Sequence, residues 1–361
     1  MWGVNITGQG GSALPEYPSV SYIPLETGKN FLISKISQLY VTVEDIFILD
    51  ELQNQLMRFS AEGKFENMIG RKGKGPGEYL NPNYFLVNEI KKEIKVCDRR
   101  QKKIITYDFD GRYKKEISTS IYFDIFFEDA NNSYWVFLDN CAGSSKDSEK
   151  LNFKKVDSVG KIHEKIFGIE KYNIQSCRLS HISNDKTGNF VSFVLPFHNN
   201  IYSFNGVDSI SIKYHLDFQE ASIPEKELSR ISGKDAAKNQ KVVFELMKQY
   251  VIGCISFIEI DDWIYIEYSY KKFGCGVFYN KKRQHTFNFS KAPYDENNWG
   301  TLFPLLFGKD NTFYSTSDPS FLKTHIEKYN QRYTKERVKS INDLLYDIKI
   351  DSNPIIIKYE L

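Results

Sequence analysis

Four glycines, one proline and three basic residues crowd into a single ten-residue stretch, GRKGKGPGEY at residues 70–79. A glycine-rich loop beside lysines is typical of phosphate binding, in which backbone N–H groups cradle the anion. The Walker form of that loop, however, needs Gly-Lys followed by Ser or Thr at the start of a helix, and here Gly75 is followed by Pro76. The sequence therefore excludes phosphate binding of the Walker type.

Two uses of this stretch stay open. In the structural one, Gly75 and Gly77 adopt positive φ so that the chain can cross tightly, and Pro76 stiffens the crossing. Glu78 then takes a backbone or basic partner, and Tyr79 packs under the loop. In the functional one, backbone N–H groups and basic side chains line an anion-binding mouth for a carboxylated glycan or an acidic protein segment. The candidate ligand-binding residues are Arg71, Lys72, Lys74, Glu78 and Tyr79, together with Arg99 and Arg100 of the motif DRRQKK at 98–103.

No arrangement of residues predicts catalysis or a metal site. The five cysteines, Cys97, Cys141, Cys177, Cys254 and Cys275, are widely spaced and form no C-x-x-C pair, so buried free thiols are expected. The six histidines are scattered, and the chain contains no G-x-S-x-G. The acidic pair Asp261-Asp262 falls in a predicted turn, where such pairs are usually solvated. We predict no cofactor and no bound metal, although propeller enzymes can assemble sites from residues that are distant in sequence.

Composition narrows the class of protein. The 361 residues include 48 basic and 46 acidic side chains, and a formal charge of +2 argues against a nucleic-acid partner. Aromatic residues make up 15% of the chain, which favours β-sheet. No apolar run of about 18 residues occurs, and the first residues lack the charged and apolar regions of a signal peptide. The chain as given is expected to be soluble, which also fits an exported protein without its signal peptide.

A repeat sets the expected fold. Residues 45–65 align with residues 93–113 without a gap, and Asp98 and Gly111 follow Asp50 and Gly63 by 48 positions each. Each copy predicts a strand, a polar turn, a second strand, a turn with Gly and a third strand. A period of about 45–50 residues with four short strands indicates a β-propeller. The predicted blades are about 31–70, 83–118, 121–168, 177–217, 251–290 and 299–361.

The ends of the chain are predicted to close the ring. The last block is one strand short, and VSYIPLE at 20–26 stands alone before the first blade, so this strand should pair within the C-terminal blade. Residues 20–361 then form a single six-bladed domain, and residues 1–19 form a tail.

Two helical insertions interrupt the strands, at about 221–250 and 318–350. Ser222 with Glu225 suggests a capping box, and Asp318-Pro319 suggests an N-cap with a first-turn proline. The apolar residues at helical spacing are Val242, Val243, Leu246, Met247 and Tyr250 in the first insertion, and Leu322, Ile326, Tyr329 and Tyr333 in the second. We expect each insertion to cover an exposed blade edge.

Strand direction predicts where the unusual loops lie. If the strands a, b, c and d of each blade alternate in direction, the b–c turns and the connections from d to the next a share one face of the ring. The segments assigned to that face are 70–79, 98–103, 139–150, 221–250 and 318–350. It would be rich in loops and basic residues.

Three segments together resemble a known family: FSAEGKFENMIGRKGKGPGEY at 59–79, IKVCDRRQKKIITYDFDGRY at 94–113 and SNPIIIKYEL at 352–361. They are similar to six-bladed β-propeller proteins of Bacteroidetes that are often described as candidate lipoproteins and are distantly related to NHL-repeat propellers. The resemblance covers most of the chain, and G-x-G-P-G-E-Y at Gly73 to Tyr79 is its sharpest motif. It implies a cell-envelope location reached through a lipidated signal peptide. It supplies no catalytic residues.

Two functions follow as expectations. The first is a non-catalytic envelope propeller that binds a glycan or protein partner, possibly anionic, through its loop-rich face. The alternative is a metal-dependent hydrolase or lyase of the propeller lactonase type, with a site in the central channel.

Overall fold

The repeat at residues 45–65 and 93–113 forms the second, third and fourth strands of two successive sheets. Polar turns or turns with Gly end these strands, as the sequence predicts. The predicted alternation is wrong for residues 45–50, which are buried at every position. The computed structural model describes residues 2–5, 19–129, 132–138, 151–168, 182–184, 191–195, 197–205, 209–231, 236–271, 273–289, 305–329, 331 and 335–361.

The chain is an all-β six-bladed propeller with short helices. In chain order the strands are β1 Trp2–Asn5, β2 Ser19–Pro24, β3 Ile36–Val41, β4 Asp45–Asp50, β5 Gln55–Ser60, β6 Phe65–Met68, β7 Arg71–Lys72, β8 Glu78–Tyr79, β9 Pro82–Asn88, β10 Glu93–Asp98, β11 Lys103–Asp108, β12 Tyr113–Ser118, β13 Ile125–Glu128, β14 Tyr134–Phe137, β15 Leu151–Val156, β16 Ile162–Gly168, β17 Ile182–Asn184, β18 Val191–Val194, β19 Asn200–Phe204, β20 Ile210–Asp217, β21 Cys254–Glu259, β22 Trp263–Tyr270, β23 Phe273–Asn280, β24 His285–Phe289, β25 Leu305–Lys309, β26 Thr312–Ser317 and β27 Ile355–Glu360. The helices are α1 Glu225–Leu228, α2 Ala236–Leu246, α3 Pro319–Tyr329 and α4 Lys335–Tyr346.

Five blades use consecutive strands, and the sixth closes the ring. Blades 1 to 5 are β3–β6, β9–β12, β13–β16, β17–β20 and β21–β24. In the closing blade the order is β2-β27-β26-β25, and β2 runs antiparallel to β27 from Ser19 opposite Glu360 to Pro24 opposite Ile355. The predicted six blades and their closure by the N-terminal strand are confirmed.

One strand was not predicted. Residues 2–5, part of the expected tail, form β1, which pairs in parallel with β20 and extends the sheet of blade 4 to five strands.

The chain packs as two compact units. One contains residues 1–12, 97–104 and 117–290, and the other contains residues 13–96, 105–116 and 291–361. In the first unit, side chains of β20 such as Tyr214 and Leu216 pack with Phe257 and Ile266 of blade 5. In the second, Phe47 and Leu56 of blade 1 pack with Ile94 and Tyr107 of blade 2.

The repeated glycine lies where a turn of one blade comes close to the fourth strand of the preceding blade. Gly63 and Gly111 have φ of 83° and 77°, and each donates its N–H to the residue three positions earlier, Ser60 or Asp108. A Cβ at Gly111 would overlap the carbonyl oxygen of Met68 in β6, and one at Gly63 would overlap the carbonyl of Pro24 in β2. Glycine therefore recurs after 48 positions because a side chain at this point would overlap the backbone of the preceding blade.

The helices partly match the sequence prediction. Val243 and Leu246 of α2 are buried with Phe197 and Ile252, as their spacing indicates. The predicted capping box is wrong, because Ser222 accepts a hydrogen bond from Asn199 Nδ2 (3.0 Å) and α1 begins only after Pro224, without a side-chain cap.

The second insertion covers the closing blade. Helix α3 begins at Pro319, and Leu322 and Ile326 pack with Ile341 of α4 on Ile355 of β27. That the insertion covers an exposed blade edge stays a prediction, because β27 lies between β2 and β26. The side chain of Tyr329 and the whole of Tyr333 lie outside the described residues.

The described cysteines Cys97, Cys254 and Cys275 are buried free thiols, as expected. Burial raises the pKa of the Cys97 thiol well above its ordinary value. Cys141 and Cys177 lie outside the described residues. Within the described ranges, no helix is both long and apolar enough to cross a membrane.

Candidate functional site

The glycine-rich loop, residues 69–81, connects β6 of blade 1 to β9 of blade 2 and is folded on itself. The two-residue strands β7 and β8 pair in parallel, with Arg71 opposite Glu78 and Lys72 opposite Tyr79. The N–H of Gly73 also donates to the carbonyl of Tyr79 (2.9 Å). These backbone contacts fix the positions from which the basic side chains project.

Glu78 holds the inside of the loop. Its Oε2 accepts the N–H of Gly75 (2.9 Å), and its Oε1 accepts the Nε–H of Arg71 (2.8 Å). The Gly75 N–H, followed by the Arg71 guanidinium, keeps the pKa of the Glu78 carboxyl below its usual value. The structural prediction that Glu78 takes a backbone or basic partner is confirmed, since it takes both.

Tyr79 lies beneath the loop and is 1% exposed. Its hydroxyl donates to the carbonyl of Ile69 (2.9 Å) and accepts the N–H of Leu56 (3.3 Å). Burial raises the pKa of Tyr79 to about 12. Tyr79 therefore supports the loop from below, and a ligand at the surface of the loop does not reach it.

The glycines differ in their backbone conformation. Gly77 has φ of 69°, as predicted, and a Cβ there would come within 2.6 Å of the Tyr113 ring. The same prediction for Gly75 is wrong, because its φ is not positive and its role is to donate an N–H to Glu78. Gly70, with φ of 69°, is the second positive-φ glycine of the loop, and sequence reasoning missed it.

The loop is anchored to blade 2 by residues that sequence reasoning did not single out. The Gly77 N–H donates to Glu116 Oε2 of β12 (3.1 Å), and the Tyr107 hydroxyl of β11 donates to the Gly77 carbonyl (3.0 Å). No local spacing marks Glu116 or Tyr107 as partners of a loop 39 and 30 positions away. The loop thus packs on strands of blade 2, which supports its structural use as a crossing between blades.

The basic side chains of the loop are not equivalent. Arg71 is 81% exposed but forms an ion pair with Glu78. The side chains of Lys72 and Lys74 are exposed and make no hydrogen bond or ion pair with the described part of the chain. With Arg71, Lys72 and Lys74 against Glu78, the loop carries three positive charges and one negative charge, a net +2. Its charge is therefore presented mainly by the two lysines.

Arg99 and Arg100 belong to the other compact unit. Asp98 of the same turn is buried and accepts the N–H and side-chain N–H of Gln101 (3.0 and 2.8 Å). Arg99 forms an ion pair with Asp124 (2.8 Å), and Arg100 is exposed. The turn is therefore held by its own polar contacts, and that it shares a face with the glycine-rich loop stays a prediction.

The remaining predicted loops have the topological positions assigned to them. Residues 99–102 lie between β10 and β11, α1 and α2 lie between β20 and β21, and α3 and α4 lie between β26 and β27. Residues 139–150 lie outside the described residues. The acidic pair follows β21, where Asp261 is exposed and Asp262 pairs with Lys282 (2.7 Å).

In the described ranges, no group of three or more His, Cys, Asp or Glu side chains is placed to hold a metal ion. Glu259, the last residue of β21, forms ion pairs with Lys213 (2.7 Å) and Lys281 (3.2 Å). It also accepts a hydrogen bond from the Tyr214 hydroxyl (2.9 Å).

Comparison with known proteins agrees with this architecture. A family model described as Domain of unknown function (DUF4934) matches residues 17–360. A candidate exported protein from Bacteroides fragilis NCTC 9343 is similar over 99% of both chains, with a TM-score of 0.81 and 18% identity. A member of the duf4221 family from Bacteroides vulgatus ATCC 8482 is similar over 95% of this chain and 96% of its own, with a TM-score of 0.58 and 10% identity.

At these identities the likeness shows the fold. A virginiamycin B lyase from Staphylococcus aureus is similar over 82% of this chain and 80% of its own, at 12% identity and with a lower TM-score of 0.44. No curated protein matches the chain. The sequence-based resemblance to six-bladed propellers of Bacteroidetes is confirmed by the family match and by the two Bacteroides structures.

Proposed function

Since the chain belongs to the DUF4934 family, whose function is not known, we propose a function from the site itself: a non-catalytic propeller of the cell envelope that binds an anionic glycan at its glycine-rich loop. The envelope location draws support from the similar Bacteroides protein described as exported. Attachment through a lipid anchor upstream of this chain, as the family resemblance implies, is part of the proposal.

The observation that carries the binding proposal is the state of Lys72 and Lys74. Both ammonium groups are exposed and without a partner in the described part of the chain, on a loop fixed by Glu78, Tyr79 and the strands of blade 2. Recognition commonly resides on loops that a rigid scaffold positions in this way.

The chemistry favours a ligand with spaced negative charges. Lys72 and Lys74 flank Gly73, and an ammonium group binds a carboxylate or sulfate as a point charge without a fixed orientation. Exposed charge pairs are screened over about 8–10 Å near physiological ionic strength, so binding should weaken as salt rises. Arg71 contributes less because Glu78 already accepts its Nε–H.

The test is a binding array of neutral glycans, acidic glycans and acidic peptides, probed with the wild type and with a Lys72→Ala/Lys74→Ala variant. The matched control, Lys64→Ala/Lys323→Ala, removes the same charge from two exposed positions, in the turn between β5 and β6 and on α3. Arg71 and Arg99 are left in place because both make ion pairs within the fold. An Arg100→Ala variant asks separately whether the turn at 98–103 contributes.

The expected result is salt-sensitive binding of acidic glycans that the Lys72/Lys74 variant loses and the control keeps. Retention of acidic peptides in place of glycans would replace the proposed ligand by a protein segment. If binding changes neither with the substitutions nor with the salt concentration, the binding proposal is wrong. The loop is then a structural crossing whose charges are solvated.

No observation on the described residues favours the hydrolase or lyase alternative.

A further inference from the structure

Tyr113, the first residue of β12, lies beside the glycine-rich loop in the same compact unit. A Cβ at Gly77 would come within 2.6 Å of the Tyr113 ring, so the ring packs directly against the backbone of the loop. β12 is an edge strand in the sheet of blade 2, and 44% of Tyr113 remains exposed. The loop therefore holds one side of an aromatic ring, and the rest of the ring stays open to solvent.

The exposed part of Tyr113 has no task within the described fold. Its hydroxyl forms no hydrogen bond, and its ring forms no aromatic pair, with the described part of the chain. Tyr79 and Tyr107, which also contact the loop, are buried and donate their hydroxyls to the carbonyls of Ile69 and Gly77. These two tyrosines support the loop from below, whereas Tyr113 is presented at its surface.

Unpaired positive charge lies close to this ring. Lys115 follows Tyr113 by two positions, so both side chains project from the same face of β12, about 7 Å apart along the strand. Like the lysines of the loop, Lys115 is exposed and makes no ion pair with the described part of the chain. Lys114, on the opposite face of the strand, is instead paired with Glu93 (3.0 Å).

The lysines of the loop are within reach of a ligand that lies on the Tyr113 ring. Lys72 is the register partner of Tyr79, and Tyr79 is two positions after Gly77. The Cα atoms of Lys72 and Gly77 are therefore within about 12 Å of each other. One sugar ring and one extended lysine side chain together span such a distance. The loop and β12 thus offer an aromatic surface with ammonium groups around it.

We propose that Tyr113 is a ligand-binding residue of the glycine-rich loop, on which a pyranose ring stacks while its acid group binds the nearby lysines. This inference rests on the proposed function, and it narrows the ligand to a sugar that carries a carboxylate or a sulfate at the edge of its ring. The C–H groups on one face of a pyranose pack on the electron-rich face of an aromatic ring. An acidic peptide would use only the lysines.

The experiment compares four probes by isothermal titration calorimetry at low salt, where charge pairs are least screened. Tetragalacturonate carries both sugar rings and carboxylates, and its methyl ester keeps the rings without the charges. Tetraglutamate carries the carboxylates without sugar rings. A sulfated galactose tetramer replaces the carboxylates by sulfates. Together the probes separate the contribution of the ring from that of the charge.

Four variants of the full chain are compared with the wild type. Tyr113→Ala removes the ring, and Tyr113→Phe removes only the hydroxyl that the described fold does not use. Tyr346→Ala is the matched control, because Tyr346 is an exposed tyrosine on α4 without a hydrogen bond to the described part of the chain. The Lys72→Ala/Lys74→Ala variant reports on the proposed function by itself.

Tetragalacturonate or the sulfated tetramer should bind the wild type about tenfold more tightly than tetraglutamate or the methyl ester binds it. Tyr113→Ala should lose this preference and keep the weak binding of tetraglutamate, whereas Tyr113→Phe and Tyr346→Ala should keep both. Saturation transfer from aromatic protons to the sugar C–H protons should also fall in Tyr113→Ala. Which acidic tetramer binds identifies the acid group as a carboxylate or a sulfate.

An acidic tetramer that binds Tyr113→Ala as tightly as wild type, but does not bind the Lys72→Ala/Lys74→Ala variant, would overturn this inference and leave the proposed function standing. Equal losses of tetragalacturonate and tetraglutamate in Tyr113→Ala would also overturn it, since the ring would then support the loop and not touch the ligand. If no acidic probe distinguishes the wild type from Lys72→Ala/Lys74→Ala, the proposed function fails, and this inference fails with it.

Discussion

Two crossings between blades perform the same topological task with different support. Residues 25–35 lead from β2 of the closing blade into β3, and residues 69–81 lead from β6 into β9. The first crossing depends on a side chain that is distant in sequence, because Asn353 Oδ1 accepts the Ile33 N–H (2.8 Å) and its Nδ2 donates to the carbonyls of Glu26 (2.7 Å) and Phe31 (2.9 Å). Asp50 and Gln53 of blade 1 bind its backbone as well. The second is supported by its own Glu78 and Tyr79, together with Glu116 and Tyr107 of the adjoining blade 2.

The difference shows what each crossing leaves exposed. Asn353 is 2% exposed, and its side chain forms hydrogen bonds with the backbone of the first crossing. Most residues of that crossing are nevertheless exposed, Lys29 and Lys35 among them. The second crossing uses its own carboxylate and phenol below the surface, and its lysines remain outside. Both crossings present lysines, but Lys35 of the first forms an ion pair with Glu51, whereas the second carries two lysine side chains, Lys72 and Lys74, that form no ion pair among the described residues. This pair of lysines is why the binding proposal concerns the second crossing.

The largest expected effect is at the distant support. Asn353→Ala leaves one N–H and two carbonyls of the first crossing without their partner in a buried place, and should lower the free energy of unfolding by about 2–4 kcal/mol. Ser352→Ala, one position away and only partly buried, is the control and should change it by less than about 0.5 kcal/mol. Chemical denaturation of both variants gives the measurement. Similar small losses would mean that the first crossing does not depend on Asn353.

The next effect separates two glycines of the second crossing. Gly77→Ala forces a side chain into positive φ against the Tyr113 ring and should cost about 1–3 kcal/mol. Gly75→Ala places its Cβ 3.1 Å from the movable end of Glu78 and should cost less than about 1 kcal/mol. Thermal melts of the pair test this ranking, and the reverse order would contradict the assigned backbone conformations.

A smaller effect depends on pH. The folded pKa of Glu78 is below its unfolded value, so its carboxylate stabilises the fold at pH values above the unfolded pKa of about 4.3, and this contribution is lost as pH falls through the folded pKa. Glu78→Gln should therefore lower the melting temperature at pH 7, and the gap from wild type should narrow below about pH 4. Glu66→Gln, an exposed position on β6, should show no such narrowing. If the difference in melting temperature between Glu78→Gln and wild type stays constant with pH, the ionised carboxylate does not stabilise the loop.

The smallest effect is expected at the lysines. Lys72→Ala and Lys74→Ala, singly or together, should leave the free energy of unfolding within about 0.5 kcal/mol of wild type, because neither side chain contacts a partner in the described chain. The double variant then reports on ligand binding without a stability loss. A clear destabilisation would show that these lysines belong to the support of the crossing and not to its exposed surface.

The same contrast explains what the sequence could predict. The partners of Glu78 and Tyr79 in their own loop lie three to ten positions away, so spacing within GRKGKGPGEY was enough to predict their roles. The blades were predictable because the repeat places Asp50 and Asp98, and Gly63 and Gly111, at one period. Both predictions, the roles of Glu78 and Tyr79 and the division into blades, rest on local sequence patterns.

Contacts over long separations could not be predicted in this way. Asn353 lies 320 positions from Ile33, and nothing in the segment SNP marks it as the partner of that crossing. The backbone conformation of Gly75 depends on where Glu78 places its carboxylate, which glycine spacing does not specify. Residues 2–5 are too short a segment to predict as a strand without the β20 edge beside them.

The way the ring closes has a consequence for the order of events during synthesis. Pro24 of β2 pairs with Ile355 of β27, so the first strand of the closing sheet waits for a partner 331 positions later, which takes on the order of tens of seconds at ribosomal speed. Until then the nascent chain carries an unfinished sheet, and an unpaired strand invites association with other chains. A holdase chaperone that shields residues 19–24 during translation would therefore act while this strand is unpaired and open to association with other chains.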